Sequence, residues 1–458
     1  MALSANTVWE LRTAGDVANG GGFVTGASGT DFSQQDAAQY ALTGVTSAGA
    51  GNVILTASAA ADMVGNIINV ISGTNFTVGF FQITSVSVGV SITCSTNRSG
   101  TAISTGVGAT GVMNIGGALP DPALLAVELT VSGMSVYQKA GTYTITSAST
   151  NVAGGCVTFA SRVRWEGYQT TRGDFGTKPV FLASGISTAV IFTAGTNDCT
   201  TVNLEIDGAS LTSIRGFATT SRSFFHLCTA RNCTNSGFSG SATTLFSFCL
   251  TSGCSTQASF LVPGKAFACV AMDNTILGFS VTSGGLVVRC IADTNTGATV
   301  DGFLFGAAAN AVNCVAYGNG RDGFACTTGN AIVMTNCLSE SNGQYGYNGS
   351  AAPKSLFYCG AYGNSSGPTN GTYEFNVSFI TGSASFFTNA AAGDFSLNTD
   401  AGGGALARAA GLPGVFPGGL TTGYLDVGAA QHADSPDTIS VSVQSPHVTS
   451  NYRVSSYG

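Results

Sequence analysis

At 458 residues the chain has room for one large domain or two to three ordinary ones, and 44% of it is hydrophobic, with 28 Phe and 13 Tyr, which excludes a disordered chain. Only 9% of residues are charged, against about 25% in a typical soluble domain. The net charge is −7 with no concentration of Lys or Arg, which argues against nucleic acid as a partner, and no apolar run reaches 18 residues, which argues against a helix inserted in a membrane.

The opening residues, Met1 to Asn6, lack the basic and apolar regions of a secretory signal. The expectation is a protein made in the cytoplasm that stays there or leaves by another route, such as packaging on a virus particle. Ser33 followed by Asp36 and then Ala37 to Leu42 reads as a short helix capped by Ser33. Residues 67–70, 77–83 and 91–93 read as strands, and the Gly/Ala/Thr-rich segment 99–120 as a loop or linker. Residues 1–136 are therefore expected to form a small N-terminal β domain for capping or attachment.

From residue 137 onward the pattern changes. Thr142 to Ile145, Trp165 to Tyr168, Pro179 to Leu182 and Val202 to Gly208 read as single coils of a repeating structure. The repeat becomes explicit at Cys228, Cys249, Cys269, Cys290, Cys314, Cys337 and Cys359, separated by 21, 20, 21, 24, 23 and 22 residues. Five positions after each comes Cys233, Cys254, Asn274, Asn295, Asn319, Asn342 or Asn364. A Gly-aromatic pair then recurs at Gly237-Phe238, Gly278-Phe279, Gly302-Phe303, Gly323-Phe324 and Gly346-Tyr347, weakening to Ser259-Phe260 and Thr372-Tyr373 in two coils.

Longer helical repeats are excluded by the Gly/Thr/Asn composition, and leucine-rich repeats by the missing Leu pattern. What remains is an all-β solenoid, a right-handed parallel β-helix of roughly 22-residue coils stacked at about 4.8 Å. It is expected over 137–432 with its terminal cap, with about ten coils between 137 and 395. The Cys column then reads as an internal stack of free thiols, since Cys behaves as a small buried hydrophobe. The Asn column reads as amides bonding from coil to coil at a left-handed turn, and each Gly as a turn residue with relaxed φ. Residues 433–458, with Ile439, Val441 and Val443 in alternation, form an extended arm for docking or oligomerisation.

Residues 137–431 resemble the pectate-lyase-like right-handed β-helix superfamily. Asp394 to Leu397 and Asp426 to Ala429 are similar to terminal coils of such proteins. Val8 to Thr13 and Gly20 to Phe23 are similar to the start of β-helix proteins of tailed bacteriophages. The resemblance implies a virion component, commonly a homotrimeric tailspike, fibre or capsid decoration associated with other virion proteins and directed at host surface polysaccharide. It also includes polysaccharide lyases and hydrolases, so depolymerisation and purely structural decoration stand as alternatives.

No complete catalytic motif is present, and the reading leans away from an enzyme. Asp301 and Asp322 precede Gly in adjacent coils, and a pair about 5 Å apart would suit carboxylate catalysis, with Arg321 beside them. Asp before Gly is also ordinary turn chemistry. Asp273, Asp293 and Glu340, and Glu205 with Asp207, are weaker candidates. Tyr317, Tyr345 and Tyr362 are candidate platforms for sugar rings, or simply core. His226, His432 and His447 sit in no motif, and His226 reads as a strand residue. No CxxC pair occurs, and neither a metal nor a cofactor is expected.

Overall fold

The computed structural model describes residues 3–129, 131–146, 155–158, 162–187, 189–194, 198–282, 284–306, 308–326, 332–349, 354–412 and 425–431. It divides into two compact units, Met1–Leu182 with Phe192–Leu204, and Ala183–Ile191 with Glu205–Gly458.

In the first unit, Thr7–Leu11 pairs in parallel with Ser135–Lys139, which pairs in parallel with Arg164–Tyr168 and so on to Cys199–Val202. The parallel sheet thus takes its first strand from residue 7. The stretch without the repeat holds a closed antiparallel barrel, in the order Tyr40–Ala48, Val53–Leu55, Ser91–Cys94, Gly79–Ser87, Ile67–Phe76 and Ser104–Ile115. Ile68, Val70, Phe81, Ile83, Ile92, Met113 and Ile115 alternate into its core, as strands with one buried face require.

Two local expectations fail here. The segment read as a linker contains the barrel strand Ser104–Ile115, and its glycines serve packing. A Cβ on Gly108 or Gly111 would come within 2.8–2.9 Å of the Phe76 ring. The helix expected at Ser33 is a turn instead, because the Ser33 amide and hydroxyl both bond the Asp31 carboxylate, at 2.9 and 2.5 Å.

The second unit contains three parallel sheets. The first begins with Ser223–His226, Leu245–Ser247 and Lys265–Phe267; the second with Glu205–Asp207, Thr229–Arg231 and Leu250–Ser252; the third with Arg215–Thr219, Phe238–Ser239 and Phe260–Val262. Each coil contributes one short strand to each sheet, giving a parallel β-helix of about eight turns. Phe387–Asn389 and Asp394–Leu397 form an antiparallel hairpin rather than another coil.

The backbone explains the columns. Between the first and second sheets the chain bends at one left-handed residue before each Cys: Leu227, Phe248, Ala268, Arg289, Asn313, Asn336 and Tyr358, with φ of 50–55°. A second left-handed residue precedes each member of the Asn column, at Asn232, Gly253, Asp273, Thr294, Gly318, Ser341 and Gly363. The column Asn residues are therefore not the left-handed ones. They are placed by the bend so that each Nδ2 donates to the Oδ1 of the next, from Asn274 to Asn295, Asn319, Asn342 and Asn364, at 2.8–3.0 Å.

The Gly column is also not at positive φ. A Cβ on Gly278, Gly302 or Gly346 would lie 2.6–2.8 Å from a carbonyl oxygen of the next coil and 2.7–3.0 Å from a column Asn amide. Close approach, rather than backbone freedom, selects glycine there. The aromatic that follows each Gly points inward. Phe217, Phe238, Phe260, Phe279, Phe303, Phe324 and Tyr347 stack with centroids 4.8–5.0 Å apart and planes within 10°.

All thirteen cysteines are buried and free. In the column of seven, each Sγ lies 3.4–3.6 Å from the carbonyl oxygen two residues before it, a weak thiol donor satisfied locally.

The C-terminal part covers the outer face of the second sheet. Val270, Ile291, Val315 and Leu338 from the sheet form one buried cluster with Phe386, Phe387, Phe395, Leu397, Ala407 and Val427. The arm expected at 433–458 lies outside the described residues, as do His432 and His447.

Candidate functional site

Asp301 and Asp322 both lie at the turn that leads into the third sheet, and both are buried, at 1% and 0% exposure. Arg321 Nε donates to Asp301 Oδ1 at 2.7 Å, its Nη2 donates to Oδ2, and the Asp322 amide donates to Oδ1 at 3.2 Å. Asp322 Oδ1 accepts from the Tyr345 amide at 2.9 Å, and Oδ2 accepts from Asn348 Nδ2 at 2.7 Å. All four carboxylate oxygens are thus engaged by the protein. Burial pushes the Asp301 carboxyl above its ordinary value, with the Arg321 guanidinium opposing it.

This cluster extends outward into a polar edge. Asn348 Oδ1 accepts from Asn370 Nδ2 at 3.2 Å, so the two amides are fixed one coil apart. Tyr345, Asn348 and Asn370 are half-exposed, Arg321 is half-buried and Gln344 is exposed. Of the three tyrosines considered for sugar stacking, only Tyr345 belongs to this edge.

The other two are covered by the chain itself. Tyr317 packs edge-on against Phe387 and Phe395, and Tyr362 against Phe386. Glu340 anchors the covering segment: its Oε1 accepts from Ser385 Oγ at 2.6 Å and its Oε2 from the Phe386 amide at 2.9 Å. Nothing in the local sequence around Tyr317 or Tyr362 signals a cover that arrives from residues 386–395.

Asp293 stands in the same outward column as Tyr317 and Glu340 and is 2% exposed. Burial, with Asp273 nearby, pushes its carboxyl up to about 7, against an opposing Thr294 hydrogen bond. The native state therefore prefers the protonated form. Stability from this group is full below about pH 4 and is lost as pH rises through about 7. Asp293→Asn should match the parent at about pH 3.5 and exceed it at pH 8 by on the order of 1–3 kcal/mol, read from denaturant melts at both pH values.

The remaining candidates have structural partners. Arg231 Nε bonds Glu205 Oε1 at 2.5 Å, and its Nη1 lies 2.9 Å from Asp207 Oδ2, so both acids do share one face. His226 lies in a first-sheet strand, stacked on Phe224 and edge-on to Phe248. Among the described residues no group of three or more His, Cys, Asp or Glu could hold a metal ion.

No family model and no curated protein matches this chain. Solved structures do resemble it. Pectate lyase Pel9A is 17% identical with a TM-score of 0.49, covering 69% of this chain and 92% of its own. The A-module of mannuronan C-5 epimerase AlgE6 from Azotobacter vinelandii is 14% identical with a TM-score of 0.38, covering 58% and 96%. The catalytic unit of a GH87 alpha-1,3-glucanase from Streptomyces thermodiastaticus is 10% identical with a TM-score of 0.34, covering 75% and 87%. The three parallel sheets, with one strand from each per turn, make this chain a parallel β-helix.

Proposed function

We propose that the protein is a glycan-binding β-helix of a bacteriophage virion, reading host surface polysaccharide along the edge formed by Arg321, Gln344, Tyr345, Asn348 and Asn370. The observation that carries the reading is the fixed amide pair, Asn370 to Asn348 to Asp322, repeated at the coil spacing. Amides both donate and accept, as sugar hydroxyls do, and holding them in place beforehand reduces the ordering cost of binding a polymer. The virion setting rests on the phage-like opening segment, and a homotrimer held with other virion proteins belongs to the same proposal.

A depolymerase is the second reading, favoured by one observation. A carboxyl raised by burial, Asp301, lies against Arg321 and Asp322, as an acid catalyst would. A single experiment separates the two. Purified bacterial capsule and lipopolysaccharide polymers are arrayed, and binding and new chain ends are both measured. The adhesin reading expects binding without new ends, weakened at least about tenfold by joint Asn348→Ala and Asn370→Ala substitution, since each lost hydrogen bond is worth about 1 kcal/mol. Circular dichroism should show the variant still folded at the assay temperature, with a lower melting temperature because Asp322 Oδ2 loses Asn348 Nδ2. New ends that vanish in Asp301→Asn and Asp322→Asn variants would transfer the function to the enzyme. Light scattering of the full chain tests the trimer, and a monomer would remove that part of the proposal.

A further inference from the structure

The first unit holds a second feature that the β-helix face does not use. A cleft of about 430 Å³ opens between the barrel and the short helix Pro122–Ala126, lined by Val78, Phe80, Asn97, Arg98, Leu124 and Glu128 among others. Asp121 caps that helix through the amides of Ala123 and Leu124, at 2.8 and 3.3 Å, and the chain after it carries Glu128 into the cleft. Glu128 is 7% exposed, and Arg98 Nε lies 3.4 Å from its Oε1. Among the described residues Arg98 is the only side chain paired with this carboxylate. Arg98 is held from its other side, since Nη1 donates to the Val127 carbonyl. Among the described residues, Arg98 and Glu128 are the only charged ones lining the cleft.

A carboxylate more than nine-tenths buried, with a single cation beside it and an open cavity in front, is a costly arrangement for folding alone. Its groups match one ligand chemistry. The guanidinium offers only donors and the carboxylate only acceptors, whereas a vicinal diol presents both. Asn97 Oδ1 is occupied by the amides of Ser99 and Thr101 at 3.0 and 2.9 Å, which leaves its Nδ2 to donate. Val78 and Phe80 supply an apolar wall suited to the CH face of a ring. The ion pair carries no net charge, so a charged ligand would arrive uncompensated. The volume lies within the roughly 300–1,000 Å³ typical of small-molecule sites.

We infer that this cleft binds a neutral sugar ring, its hydroxyls held by Glu128, Arg98 and Asn97 and its apolar face by Val78 and Phe80. The site is independent of the proposed polymer-binding edge, so either can fail without the other. Burial pushes the Glu128 carboxyl up to about 7, with Arg98 opposing. Charge-assisted hydrogen bonds are the stronger ones, so sugar affinity rises from about pH 6 to about pH 8 as the carboxylate ionises.

The test is ligand-observed NMR and calorimetry on the full-length protein with methyl glucoside, methyl galactoside, N-acetylglucosamine and galacturonic acid. At least one neutral sugar should bind saturably, about tenfold or more weaker in Glu128→Gln, with the pH dependence abolished in that variant. Val78 is 65% exposed at the mouth, so Val78→Trp should block binding without a folding penalty. The joint Asn348→Ala and Asn370→Ala variant should bind as the parent does. Saturable binding by none of the neutral sugars, binding indifferent to both Glu128→Gln and Val78→Trp, or a preference for galacturonic acid would each overturn the inference.

Discussion

Asn319→Ala is expected to lower the stability of the β-helix by about 3–5 kcal/mol. The side chain is 1% exposed and sits mid-ladder. Its Nδ2 donates to Asn342 Oδ1 at 3.0 Å and to the Ala292 carbonyl at 3.1 Å, and its Oδ1 accepts from Asn295 Nδ2 at 2.9 Å. Truncation takes the partner from the Asn295 backbone amide, from one Asn295 Nδ2 hydrogen and from the Ala292 carbonyl, while Asn342 Oδ1 keeps the Asn319 backbone amide at 3.0 Å, and each orphan costs about 1–3 kcal/mol. Water can repair part of this, which keeps the sum below three full penalties. Cys254 is the second member of the same column and its thiol hydrogen-bonds only weakly, to the Ser252 carbonyl at 3.9 Å. Cys254→Ala should therefore cost about 1 kcal/mol, mostly lost packing. Urea unfolding followed by circular dichroism measures both. Equal losses in the two variants would mean that the amide ladder contributes no more than volume.

That contrast shows what the sequence could disclose. The Cys, Asn and Gly-aromatic columns were legible because every coil repeats the same environment, so the same residue type recurs at the coil period. The left-handed bends before Cys were not. They are occupied by Leu, Phe, Ala, Arg, Asn and Tyr, which share no preference for positive φ, and the stacked coils impose the geometry. The Gly column was visible while its cause was not, because the carbonyl that excludes a Cβ belongs to the neighbouring coil.

Site residues divide along the same line. Asp301, Arg321 and Asp322 could be grouped from coil register alone. Arg98 and Glu128 lie 30 positions apart in a region without a repeat, and only the barrel brings them together. Tyr317 and Tyr362 looked available because alternation marks a strand's outward face. Whether that face meets water or residues 386–395 is a tertiary matter that alternation cannot report.

Phe279→Ala is the larger test of the core, with an expected loss of about 4–5 kcal/mol, at the upper end of what aromatic truncation costs. The ring is fully buried and lies 4.8 Å from both Phe260 and Phe303, nearly parallel to each. In most cores neighbours shift into a new cavity and recover part of the loss. Here the rings above and below are held by strands hydrogen-bonded at a fixed spacing of about 4.8 Å, so the stack cannot close the gap. Phe279→Leu keeps most of the volume and loses the ring contacts, for an expected cost of about 1–2 kcal/mol. Denaturant melts of the two variants rank them, with Phe279→Ala lower. A Phe279→Ala loss as small as that of Phe279→Leu would mean that neighbouring coils do relax into the space, and that the strand ladder is softer along the helix axis than its regular spacing implies.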